Sequence, residues 1–150
     1  MNTAILVERI SLSDLSEVME IENACFGVDA FSRRQMFYLM TYAKGTFLVA
    51  RHDGQLAGYI ALITSRRHNT GRVYSIAVSP QYRGQGVGSA LLNKAIKYAH
   101  IIELKAIFLE VRMDNDSAIS LYEKKGFTKR SIRLNYYEDG ADAYSMVLGL

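Results

Sequence analysis

The chain has no tryptophan, one cysteine and one proline among its 150 residues. A single thiol, Cys25, rules out an intrachain disulfide framework. With His52, His68 and His100 the only histidines, no Cys/His cluster at zinc-ligand spacing exists, and metal catalysis by such ligands is not expected. Also missing is any run of about 18 apolar residues, the length of a membrane span. Met1 to Ile10 mixes Glu8 and Arg9 into a short apolar stretch, unlike a targeting segment. No membrane partner is expected, and the cytoplasm is the expected location. Neither repeat nor low-complexity segment interrupts the chain, and a composition of 49% hydrophobic and 22% charged residues fits a single globular domain over residues 1–150. A net charge of +3 is spread thinly. Its densest clusters, Arg66-Arg67-His68 and Lys124-Lys125 to Lys129-Arg130, read as solvated faces. Direct nucleic-acid binding is therefore not expected, while a phosphorylated cofactor would suit the mild basic bias.

Periodicity places a strand at Ile5–Ile10, then an amphipathic helix with Leu15, Val18, Met19, Glu22, Cys25 and Phe26 on one stripe. Cys25 is then a small core residue, since no base or electropositive setting for a nucleophile is visible. Ser32 and Gln35 form a capping box, with Phe31 able to staple onto Met36, for a helix from Arg33 to about Ala43. Strands Thr46–Arg51 and Leu56–Thr64 flank the tight turn His52-Asp53-Gly54-Gln55, where His52 is expected to be solvated. Further strands are expected at Arg72–Val78, Ala106–Arg112, about Thr128–Leu134 and Ala143–Leu148, the last two flanking Glu138-Asp139-Gly140. A helix should run from Ser89 to about Ile101, with His100 beside the negative end of its dipole, and a shorter one from Ala118 to Lys125, capped by Asp114–Ser117 and ended by Gly126. Strand, glycine loop, helix and strand in succession require a parallel pair with a right-handed crossover. Antiparallel hairpins on either side complete a mixed α/β sheet with helices on both faces.

Three features carry chemistry. Between the strand ending Ile76-Ala77-Val78 and the following helix lies Arg83-Gly84-Gln85-Gly86-Val87-Gly88-Ser89. Glycines there let backbone N–H groups close on a phosphate at a helix N-terminus. A Rossmann fingerprint fails on element lengths, a P-loop fails on Gly-Ser-Ala, and a structural turn is the alternative. The second feature is Glu110, in a strand whose other face carries Ile107, Leu109 and Val111. A carboxylate there is costly unless it is used or paired, either in a site or with an arginine of a neighbouring strand. Third, Tyr122 lies on the helix that leaves that strand's C-terminal end, where open parallel sheets bind ligands; a core role is the alternative. Asn115 and Tyr136-Tyr137 read more simply as a cap and an exposed aromatic loop.

Arg83-x-x-Gly86-x-Gly88 after Ile76-Ala77-Val78, then Leu109-Glu110-Val111-Arg112, Asn115, Ala118, Leu121-Tyr122-Glu123, Gly126-Phe127 and Asn135-Tyr136-Tyr137, resemble the GNAT N-acetyltransferases, and within them the ribosomal-protein alanine type. The likeness covers residues 72–148 well and the first 70 in architecture only. It implies a mixed, mainly antiparallel sheet whose central parallel pair splays. It also implies acetyl-CoA as co-substrate, with Ile76, Ala77 and Val78 at the acetyl and pantetheine end, Gly84 to Ser89 on the pyrophosphate, Arg83 also in the cofactor-binding loop and Asn115 on the pantetheine arm. Glu110 would be the general base, Tyr122 the general acid, and Phe31, Tyr136 and Tyr137 would border the acceptor. The implied acceptor is a protein N-terminus, a ribosomal protein among the candidates, and the implied state a monomer or homodimer. One departure stands out: that type carries Pro-Trp between its first two helices, where this chain has Phe26-Gly27-Val28-Asp29-Ala30-Phe31. An acetyltransferase for small amines or lysine side chains is the alternative, and a non-catalytic acyl-CoA-binding module the third.

Overall fold

Asp53 and Gly54 set the first hairpin. Both have positive φ, 50° and 86°, the turn whose twist suits a two-residue connection, and they join β2 (Gly45–His52) to β3 (Gln55–Ser65). The computed structural model describes residues 4–150; the first three residues of the expected non-targeting stretch lie outside the described residues. With β1 (Ile5–Arg9), β4 (Thr70–Val78), β5 (Ala106–Arg112), β6 (Thr128–Arg133) and β7 (Ala143–Gly149), these strands form one seven-stranded sheet in the order β1-β2-β3-β4-β5-β7-β6. Every neighbouring pair is antiparallel except β4 with β5. This is the mixed, mainly antiparallel sheet that the sequence implies.

Side chains alternate across the sheet with period two. Along β2, Leu48 and Ala50 face a core with Leu91, Leu92 and Ala95 of α3 (Val87–Ile101) and Ile119 of α4 (Asp116–Lys124). Phe47 and Val49 face the opposite core, with Val18 and Ile21 of α1 (Leu15–Phe26) and Met36 of α2 (Arg33–Thr41). Helices therefore cover both faces. The alternation breaks at bulges between β2 and β3, between β3 and β4 and between β6 and β7, and the one in β4 bears on the site. Leu62 lies opposite Val73 and Ala61 opposite Ser75, which leaves Tyr74 as the extra residue of a bulge. In consequence Val73 packs on the α3 side while Ala77 packs on the α1 side.

Several boundaries differ from expectation for local reasons. Helix α3 begins at Val87, two residues before Ser89, because Gly86 in the left-handed region already serves as N-cap. Asn115 alone caps α4, accepting from the Ala118 N–H at 3.2 Å, so Asp116 and Ser117 are helical. The Ser32–Gln35 capping box is present, although α2 ends at Thr41. His52 is not solvated. Its side chain is 11% exposed, its ring lies 5.0 Å from that of Tyr82, and its Nε2 is buried without a hydrogen-bond partner among the described residues. It ends β2 opposite Gln55 and Ile5, so the strand rather than the turn fixes it.

Candidate active site

The parallel pair is short. β4 and β5 are in register only at Thr70–Ala106, Gly71–Ile107 and Arg72–Phe108, and beyond these the strands part, leaving the C-terminal half of each without the other. Val78 lies opposite Gly58, and the next N–H, of Ser79, donates to the Ala57 carbonyl at 2.8 Å. That spacing marks a non-hydrogen-bonded pair, so Val78's own N–H and carbonyl turn away from β3 toward the gap. The same alternation turns Ile76 the same way, while Ala77 bonds to β3.

At the end of β4 the chain passes through a short turn, Pro80–Tyr82, into the glycine loop. Gly84 and Gly86 have φ of 77° and 86°, which L side chains adopt at a cost. Helices α2 and α4 have their first turns closed by Ser32 and Asn115, but among the described residues α3 has no side-chain cap. Its first intrahelical bond runs from the Ala90 N–H to the Gly86 carbonyl, 3.0 Å. The N–H groups of Gly86, Val87, Gly88 and Ser89 thus have no intrahelical acceptor, and the helix dipole adds positive charge where they lie. Such a terminus suits a pyrophosphate. Arg83 behaves differently: its Nε donates to the Val78 carbonyl at 3.4 Å and its Nη2 to Cys25 Sγ at 3.3 Å. Cys25 therefore does have an electropositive neighbour, contrary to expectation, from a residue 58 positions away. Gln85 donates from Nε2 to the Gln81 carbonyl, 3.4 Å. Asn115 Oδ1 is committed to the α4 cap.

Glu110 lies on β5 at the mouth of the gap, its side chain 6% exposed. Arg72 of β4 donates to Oε1, and the Tyr136 hydroxyl lies 3.5 Å from the same oxygen. Ser145 Oγ lies 3.4 Å from Oε2 and Arg133 Nε 3.7 Å from it. The two sequence alternatives for Glu110 coexist: it is ion-paired to a neighbouring strand's arginine, and it stands at the splay. Sequence reasoning left Arg72, Arg133 and Ser145 unnamed. Arg72 could have been found as the arginine of the strand that must run parallel to β5.

Tyr122 comes from α4 on the other side of the sheet, its ring 6.0 Å from Phe127. Burial raises its pKa well above the usual phenol range, with the neighbouring Tyr137 adding to the effect, so its proton stays in place across neutral and alkaline pH. Tyr137 is itself pushed up to about 12, by burial first and by Tyr136 second. Its ring meets Tyr136 edge-on at 5.0 Å, with the Arg112 guanidinium 5.0 Å from the ring centroid.

Phe31 meets the bulged Tyr74 edge-on at 6.2 Å. Asp29, in the same loop, accepts the Glu138 N–H at 3.0 Å. The loop before α2 and the loop between β6 and β7 are thus tied together. Nearby acidic groups are engaged within the protein: Asp139 with Arg112 at 2.8 Å and Asp142 with the Asn135 N–H at 2.8 Å. The Arg112 hydrogen bond also lowers the Asp139 pKa.

This architecture defines a class when set beside known structures. The ribosomal-protein-S18-alanine N-acetyltransferase of Escherichia coli superposes with a TM-score of 0.86 at 28% identity, covering 97% of this chain and 94% of that one. The family model described as "Acetyltransferase (GNAT) family" matches residues 15–127, and the chain belongs to that family. It is 32% identical to the N-alpha-acetyltransferase RimI of Mycobacterium tuberculosis over 95% of this chain and 90% of the relative. An N-alpha-acetyltransferase of Sulfurisphaera tokodaii is also 32% identical, over 96% and 92%. The enzyme is an acetyl-CoA-dependent N-acetyltransferase.

Proposed function

We propose that this enzyme, acting in the cytoplasm, moves an acetyl group onto the α-amine of a protein N-terminus by direct attack, with Glu110 as base and Tyr122 as acid. The observation that carries the reading is the placement of Glu110 at the open end of the β4–β5 pair, beside Tyr136 and the two tied loops. The E. coli neighbour is, by its name, an N-acetyltransferase for an alanine of ribosomal protein S18, and a protein acceptor of the same class is assigned here.

When bound, acetyl-CoA supplies an acyl group activated as a thioester. The residues present fit it: an uncapped α3 terminus for the pyrophosphate, Ile76 and Val78 backbone groups facing the gap, and Asn115 beside the β5 end. Val78 N–H is placed to stabilise negative charge developing on the acyl oxygen. Glu110 takes the acceptor's proton through water or the Tyr136 hydroxyl, since its own oxygens are already engaged. An α-amine has a pKa of about 8 against about 10.4 for lysine, so it needs the least help in reaching its neutral form. Tyr122, still protonated, hydrogen-bonds or protonates the departing thiolate, whose pKa is about 8.5 if it resembles cysteine. Tyr122→Phe should therefore lower kcat by roughly 100-fold at unchanged acetyl-CoA KM, read by steady-state kinetics. Full turnover would return Tyr122 to the core.

On the acceptor side the paired tyrosines can grip a peptide backbone by ring contact and hydroxyl bonds, whereas a polyamine would need free carboxylates. Of those near the cleft, Asp29, Asp139 and Asp142 are engaged, which leaves the exposed Glu138 carboxylate. Turnover should be highest on short N-terminal peptides in a panel that includes lysine peptides with blocked termini and spermidine. Tyr137→Ala should raise the peptide KM more than that of acetyl-CoA. Equal effects on the two would remove Tyr137 from the acceptor site.

A further inference from the structure

Glu22 breaks the apolar stripe of α1 and is 1% exposed. A buried carboxylate is costly unless its oxygens are satisfied, and these are satisfied from three separate segments. Oε2 accepts the Phe31 N–H at 2.9 Å, while Oε1 accepts the Tyr59 hydroxyl of β3 and the Ser75 hydroxyl of β4, the latter at 3.1 Å. Burial and the Glu22 charge both raise the Tyr59 pKa, which keeps it a donor.

The placement of these partners is not arbitrary. Ser75 directly follows the bulged Tyr74, whose ring meets Phe31. Phe31 lies two residues after Asp29, which holds the Glu138 N–H of the opposite loop. None of Glu22's three partners belongs to the Arg83–Ser89 loop. We propose that Glu22 is a positioning residue for acceptor recognition: it pins the Phe31 loop to the β4 bulge and so sets the height of the roof over Glu110. This rests on the reading of that loop as the acceptor side.

The chemistry of the side chain supplies the test. Methionine has similar length but accepts almost nothing, leaving the Phe31 N–H and two hydroxyls unpaired. Glutamine can serve all three, its oxygen accepting from Phe31 and its amide donating to hydroxyls that can turn to accept. Glu22→Met should raise the KM for an N-terminal peptide about 10-fold or more, hold the acetyl-CoA KM within about 2-fold, and be rescued to within about 3-fold by Glu22→Gln. In the unaltered protein the Phe31 amide should exchange with deuterium about 100-fold more slowly than that of exposed Val28. The proposal is overturned if folded Glu22→Met keeps its peptide KM, if both KM values rise together, or if the Phe31 amide exchanges as fast as Val28. Should Glu22→Met not fold, the exchange measurement decides alone. It also needs no acceptor, so it separates loss of this anchor from failure of the α-amine reading, which would show as unaltered enzyme inactive on every N-terminal peptide.

Discussion

Glu110→Gln will lower kcat by roughly 100-fold or more with little change in acetyl-CoA affinity, because the amide keeps the shape of the carboxylate but cannot take up a proton at neutral pH. The competing view is that Glu110 serves only as the partner of Arg72, and burial helps to decide between them. Arg72 and Arg133 have side chains 40% and 52% exposed. Water can take over their solvation when the carboxylate is neutralised, so the stability lost should be modest. The expected signature is thus a large kinetic loss with a small change in Tm. A large fall in Tm with kcat retained would assign Glu110 to the ion pair and place the base elsewhere.

Gly86→Glu will abolish acetyl-CoA binding and leave the fold standing. Gly86 caps α3 with φ of 86°, and a Cβ built there meets only Ile5 Cδ1, at 4.0 Å. The side chain therefore has room, and the local strain of a left-handed non-glycine residue is about 1–2 kcal/mol. What the protein cannot absorb is a carboxylate among the N–H groups intended for phosphate, where it would occupy the positive end of the helix and repel the ligand. Titration calorimetry should show no measurable binding, with circular dichroism unchanged. Unaltered affinity would leave the glycines as a structural turn.

Much of this arrangement is legible in the residues because it depends on local rules. Asp53-Gly54 forces a hairpin, Ser32 and Gln35 form a capping box, and the strand, glycine loop, helix and strand order of residues 72–112 demands a parallel pair. Glu110 is visible as a carboxylate in an otherwise buried strand. The rest depends on contacts between distant positions. The Tyr74 bulge shifts the facing of β4 by one residue, which no alternation count over Arg72–Val78 reveals. Glu22 belongs by spacing to an apolar stripe, and only the arrival of Tyr59 and Ser75 from the sheet makes it a hub. Arg83 looks like part of the phosphate loop until its guanidinium is seen on Val78 and Cys25. Asp29 and Glu138, 109 residues apart, give no sequence signal of the bond that ties their loops.

An α-amine acceptor is tested most directly by locating the acetyl group with fragmentation mass spectrometry. The substrate is a peptide carrying both a free N-terminus and a lysine, incubated with the enzyme and acetyl-CoA. A mass increase confined to fragments containing the first residue is the predicted result. Acetyl found on the lysine side chain, with the N-terminus untouched, would contradict it.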